Sequence, residues 1–162
     1  MNNSNIISKE IAIKFYKLAK YTGELFSNEF DECNKNGCII VTQDDFKTLS
    51  TGVTTKIYEN QNKRISSSNK KIALYTITAV EDAITRAVRL GGISLQDSIL
   101  IVSCFPCLYS LKMIIQSGIS TIVTINHTHN YSSQELECLN ILLESLNVIL
   151  LPPTLCNYIT KY

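Results

Sequence analysis

Strong charge of either sign is missing from this sequence, whose 162 residues carry a formal net charge of +1. That excludes a general electrostatic pull toward nucleic acid or anionic lipid, so any basic patch has to be local. Long apolar runs are missing too. None approaches the ~20 residues needed to cross a bilayer, and the Asn-rich start has no apolar core of a secretion signal. The expected location is cytoplasmic, with neither membrane nor nucleic acid as a partner. No Pro- or Gly-rich linker and no internal repeat divides the chain, so a single domain over residues 1–162 is expected, with its core over about 8–151 and a tail over 152–162. What is present, 45% hydrophobic residues, is enough to bury a core without disulfides or metal. The six cysteines, Cys33, Cys38, Cys104, Cys107, Cys138 and Cys156, sit mostly among apolar neighbours and read as reduced thiols.

Periodicity gives the order of elements. From Ser8, the spacing of Ile11, Phe15, Leu18, Thr22, Leu25 and Phe26 predicts one apolar face of a helix covering a sheet. Gly37–Thr42 and Lys47–Gly52 read as an antiparallel pair of strands around a polar turn. Residues 53–77 read as a polar loop in which Lys56, Lys63, Arg64, Lys70 and Lys71 face only Glu59. A phosphate-binding flap with Tyr58 stacking on a base is one use for it; a solvated loop is the simpler one. A helix follows from Thr78 to about Leu90, with Val80, Ala83, Ile84, Ala87 and Val88 on its apolar face. Thr78 and Glu81 have the spacing of a capping box, as do Ser132 and Glu135 before a last helix whose buried face is Leu136, Leu139, Leu142, Leu143 and Leu146. Ile99–Val102, Thr121–Ile125 and Asn147–Leu151 are the remaining strands, and the first two are parallel because a helix joins them.

The densest stretch is Ser103-Cys104-Phe105-Pro106-Cys107-Leu108-Tyr109-Ser110, where Pro106 fits the first turn of a helix ending at Gly118 and Cys107 lies at its N-terminus. It resembles the Pro-Cys-x-x-Cys element of the cytidine/deoxycytidylate deaminase superfamily, whose two cysteines bind a catalytic zinc, and the likeness runs on through Lys112–Val123. The resemblance implies an α/β fold of three layers, α/β/α, around a mixed five-stranded sheet. Thr78-Ala79-Val80-Glu81-Asp82-Ala83-Ile84 aligns without gaps to the superfamily's His-Ala-Glu-x-x-Ala-Ile, in which the His is the third zinc ligand and the Glu shuttles protons. Here those positions hold Thr78 and Val80, Ser110 replaces the second cysteine, and only Cys107 remains. Val80 in place of the Glu also resembles the non-catalytic subunit of eukaryotic tRNA adenosine deaminases. Gly52 sits where deoxycytidylate deaminases begin a Gly-Tyr-Asn-Gly element whose asparagine contacts the sugar, and Thr54 takes the asparagine's place.

A catalytic zinc needs three protein ligands and an open fourth position, and one thiolate with two hydroxyls does not supply them. The implied function is therefore a catalytically inactive deaminase-fold protein, without zinc or other cofactor. It is expected to bind a nucleotide near Thr54, Phe105 and Pro106, or to serve as a subunit of a homo-oligomer or of a hetero-oligomer with an active deaminase. The alternative is a divergent zinc-dependent deaminase whose metal site is rebuilt from Cys104, Cys107, His127 and His129. Glu81 is no replacement acid, since one residue along a helix is about 100° of rotation. Nucleophilic catalysis by Cys107 would need a neighbouring base that the sequence does not place.

Overall fold

The computed structural model describes residues 7–27, 35–56, 76–125 and 131–154. Its elements run α1 (Lys9–Phe26), β1 (Gly37–Val41), β2 (Thr48–Val53), β3 (Thr55–Lys56), β4 (Thr76–Ile77), α2 (Ala79–Arg89), β5 (Ile99–Val102), α3 (Leu108–Gln116), β6 (Thr121–Ile125), α4 (Ser133–Glu144) and β7 (Asn147–Leu151). The main sheet has the order β2-β1-β5-β6-β7. β1 is antiparallel to both β2 and β5, while β5, β6 and β7 are parallel, so the sheet is mixed. β1, β5 and β6 are buried along their whole length, which is why they read as unbroken apolar runs.

Alternation along these strands feeds two cores. Ile39, Val41, Ile99, Ile101, Val123 and Ile125 face the side covered by α1. Cys38, Ile40, Leu100, Val102 and Ile122 face the opposite side, with Val80 of α2, Leu111 of α3 and the partly buried Leu139, Leu142 and Leu143 of α4. Helices on both sides of one sheet give the three layers expected.

Five details depart from the sequence reading. The buried face of α1 is Ala12, Tyr16, Ala19 and Gly23, while Leu18, Leu25 and Phe26 are exposed. The predicted stripe lies about a quarter turn round the helix. Close approach decides it: a Cβ on Gly37 would collide with the carbonyl oxygen of Ala19, so α1 and β1 meet backbone to backbone and only small side chains fit between them. Val88, at the margin of the α2 stripe, is exposed. Leu136 is also exposed, because α4 rests on the core through its later leucines and has no fully buried residue. Pro106 precedes the helix instead of sitting in its first turn, since Cys107, at φ −70° and ψ 165°, is the extended N-cap of α3. Finally, the polar loop begins and ends in a short antiparallel pair, Thr55 opposite Ile77 and Lys56 opposite Thr76. Tyr58, Glu59, Lys63, Arg64, Lys70 and Lys71 lie outside the described residues.

Candidate functional site

The N-termini of α2 and α3 meet at the C-terminal edge of β5. Thr78 caps α2 with both halves of its capping box: its Oγ1 accepts from the Glu81 N–H at 3.2 Å, and its own N–H donates to Glu81 Oε2 at 2.7 Å. Glu81 is thereby committed to the helix end, as its spacing indicated. The same Thr78 Oγ1 lies 3.2 Å from Ser110 Oγ, which lies 3.4 Å from Cys107 Sγ. A chain in which Thr78 donates to Ser110 and Ser110 donates to the sulfur serves all three groups at once.

The segment carrying Cys107 is pinned from behind. Tyr16, fully buried on α1, donates its hydroxyl to the Ser103 carbonyl at 3.1 Å. Ser103 Oγ accepts from the Gly37 N–H at 3.0 Å and donates to Asn36 Oδ1 at 3.3 Å. On the other flank, Asp82 Oδ2 accepts from the Val53 N–H at 3.0 Å, and its Oδ1 accepts from Arg86 Nε at 2.9 Å, tying the end of β2 to α2. A Cβ on Gly52 would collide with the Ala79 carbonyl, so the helix that carries Thr78 lies directly against β2.

Zinc bonds of ~2.0–2.3 Å in a tetrahedron give ligand-to-ligand edges of about 3.3–3.8 Å. The two separations here, 3.2 and 3.4 Å, are hydrogen-bond distances of similar length. The donors of a metal cage are absent: two neutral hydroxyls and one thiol hydrogen-bond one another. Val80, at 2% exposure, packs in the core with Leu100 and Leu111 and carries no proton to move. These residues do not fit a catalytic zinc.

The other expected positions are dispersed around this centre. Cys107 is exposed, Cys104 and Phe105 are half-buried, and Pro106 is buried. Thr54 is buried just past β2, its N–H bonded to the Asn36 carbonyl at 2.9 Å and its carbonyl accepting from Ser27 Oγ at 2.6 Å. His127 and His129 lie outside the described residues. Among the described residues, no three His, Cys, Asp or Glu side chains come together as a metal-binding group, and no helix is long and apolar enough to cross a membrane. Burial pushes the Cys38 thiol far up, aided by the Asp82 charge, which leaves it a core residue. Sequence reasoning missed Tyr131, whose phenol is pushed up by burial and then by Cys107, Cys104 and Glu135 around it. It missed the anchors Tyr16, Ser103 and Asp82 as well. Only Tyr16 left a signal, as the one large side chain in the small-residue stripe of α1.

The same architecture recurs in solved structures. The dCMP deaminase of cyanophage S-TIM5 in apo form matches with a TM-score of 0.62 and 18% identity over 88% of this chain and 98% of that one. Its complex with dCMP and dUMP matches with a TM-score of 0.66 and 17% identity, over 90% and 99%. The Thermotoga maritima diaminohydroxyphosphoribosylaminopyrimidine deaminase/5-amino-6-(5-phosphoribosylamino)uracil reductase matches at 0.59 and 21% identity, over 85% of this chain and 35% of that one. At such identities the likeness is one of fold. No curated protein sequence matches the chain. Residues 10–126, from α1 to the end of β6, match the family described as cytidine and deoxycytidylate deaminase zinc-binding region, and the chain belongs to that family.

Proposed function

We propose that this chain is a deaminase-fold protein without deaminase chemistry, a cytoplasmic nucleotide-binding or regulatory subunit that pairs with itself or with an active deaminase. The observation that carries the reading is the Thr78–Ser110–Cys107 hydrogen-bonded chain, which occupies the place of a three-ligand metal cage with groups that satisfy one another. Val80 supports it from the other side of the reaction. Loss of a proton shuttle alone typically lowers a rate by ~10²–10⁴-fold, and loss of an activated water removes the nucleophile too.

The nucleotide would bind near Thr54, Phe105 and Pro106, beside the two helix N-termini. A pyrimidine nucleotide of the dCMP or dUMP type is the natural probe, since the phage deaminase of the same fold holds both. Thermal shift against a panel of nucleotides tests binding: a saturable rise with one of them supports a ligand role, and none with any leaves only the subunit role. Elemental analysis of chain purified from zinc-supplemented medium tests the metal. Less than a tenth of an equivalent agrees with the proposal, and about one zinc per chain contradicts it.

One observation favours the second reading, a rebuilt metal site. β5 and β6 are parallel neighbours that end at the same edge of the sheet; in sequence Cys104 and Cys107 follow the first, and His127 and His129, which lie outside the described residues, follow the second. The elemental analysis separates the two readings directly.

A further inference from the structure

One face of α1 is neither in the core nor polar. Leu18, Tyr21 and Leu25, at three- and four-residue spacing, are 49%, 53% and 54% exposed, and Phe26 beside them is also exposed. Lys14 stands one turn before Leu18 and Lys17 one turn before Tyr21, both exposed, with Lys14 bonded to Glu10 at 2.9 Å. The helix as a whole carries four lysines against two glutamates.

The opposite layer of the molecule presents the complement. α4 has three glutamates and no lysine or arginine. On its outward side Ile141, 60% exposed, lies one turn from both Glu137 and Glu144. Within one chain the two faces cannot meet, because the sheet separates them: α1 covers the core of Ile39, Ile101 and Val123, and α4 covers that of Leu100 and Ile122.

We infer that a second copy of this chain docks here, the Leu18–Tyr21–Leu25 ridge of one copy lying along the Ile141 side of α4 of the next, with Lys14 and Lys17 beside Glu137 and Glu144. Opposite charges beside the α1 ridge and beside Ile141, on two different surfaces, select a head-to-tail contact over a two-fold one, since α1 against α1 would bring lysines together. Such a contact closes into a ring or runs on as a chain of copies. It is independent of whether the deaminase site holds zinc or nucleotide.

Sedimentation velocity of the purified full chain over a range of concentrations tests this. The wild type is expected to form assemblies larger than one chain that weaken at high salt. Leu18→Glu with Leu25→Glu disables the α1 surface, and Ile141→Lys disables the α4 surface. All three sites are at least half-exposed or nearly so, and far-ultraviolet circular dichroism checks that each variant is folded. Each variant alone is expected as a single chain. Mixed in equal amounts they are expected to form a two-chain species, because the intact α4 of the first fits the intact α1 of the second. Glu137→Lys with Glu144→Lys, which leaves the apolar contacts alone, is expected to weaken assembly at low salt. A wild type that stays a single chain throughout, assemblies indifferent to these variants, or variants that do not combine on mixing would each overturn the inference.

Discussion

Replacing two side chains should turn the hydrogen-bonded centre back into a metal site. Thr78→His with Ser110→Cys adds an imidazole and a second thiol beside Cys107, at positions whose present side chains touch one another at 3.2 and 3.4 Å. The metal-free double variant is expected to be less stable than wild type. It loses the Thr78 side-chain cap, worth about 1 kcal/mol, and Ser110, at 1% exposure, gives up its place in the polar chain, which adds a fraction more. For a domain of this size that is roughly a 2–6 °C fall in Tm. Zinc at 100 times its Kd then adds about 2.7 kcal/mol, so the variant should rise by roughly 5–10 °C on zinc addition. The assay is differential scanning calorimetry without zinc and with free zinc held at about 100 times its Kd, with a chelator as the reversal. The reasoning is refuted by a wild type that gains the same zinc-dependent rise, since other ligands would then be at work. It is equally refuted by a folded double variant that gains none.

Three further outcomes follow from the flanking contacts. Asp82→Ala leaves the Val53 N–H without its acceptor and should cost about 1–3 kcal/mol in urea unfolding, while Asp82→Asn, which keeps a carbonyl there, should cost less. Gly52→Ala sets a methyl group against the Ala79 carbonyl and should cost about 3 kcal/mol or more by forcing α2 off β2; a change below ~0.5 kcal/mol would show that the two are not so closely packed. Glu135 is held below the usual carboxylate range by hydrogen bonds from the Ser132 N–H and hydroxyl. Its contribution to stability is therefore complete above the ordinary carboxylate range and is lost as pH falls through the lower folded value. Glu135→Gln should flatten that part of the acid limb of a stability-against-pH curve, and an unchanged limb would contradict the assignment.

How much of this could be read in the sequence depended on the physical signal. Strands β1, β5 and β6 were legible because burial on both faces leaves unbroken apolar runs. The two capping boxes were legible because a hydroxyl and a carboxylate three residues apart make a local pattern. α1 was misread because periodicity weighs large residues most, whereas its contact with β1 is made by Ala19 and Gly23, whose virtue is what they lack. At the site, Thr78, Ser110 and Cys107 could be named only through their resemblance to a motif, since 32 residues separate the first two and no local rule brings them together. Tyr16, Ser103 and Asp82 left almost no trace, because each acts on a backbone group far away in sequence: Tyr16 on the Ser103 carbonyl, Ser103 on the Gly37 amide, Asp82 on the Val53 amide.

The central claim is that the scaffold persists without the groups that activate water. Its most direct test is ammonia release from dCMP by the purified wild-type chain in the presence of added zinc, with Cys107→Ala as the paired control. The account predicts no turnover above the uncatalysed background for either protein. Multiple turnovers by the wild type that vanish in Cys107→Ala would contradict it.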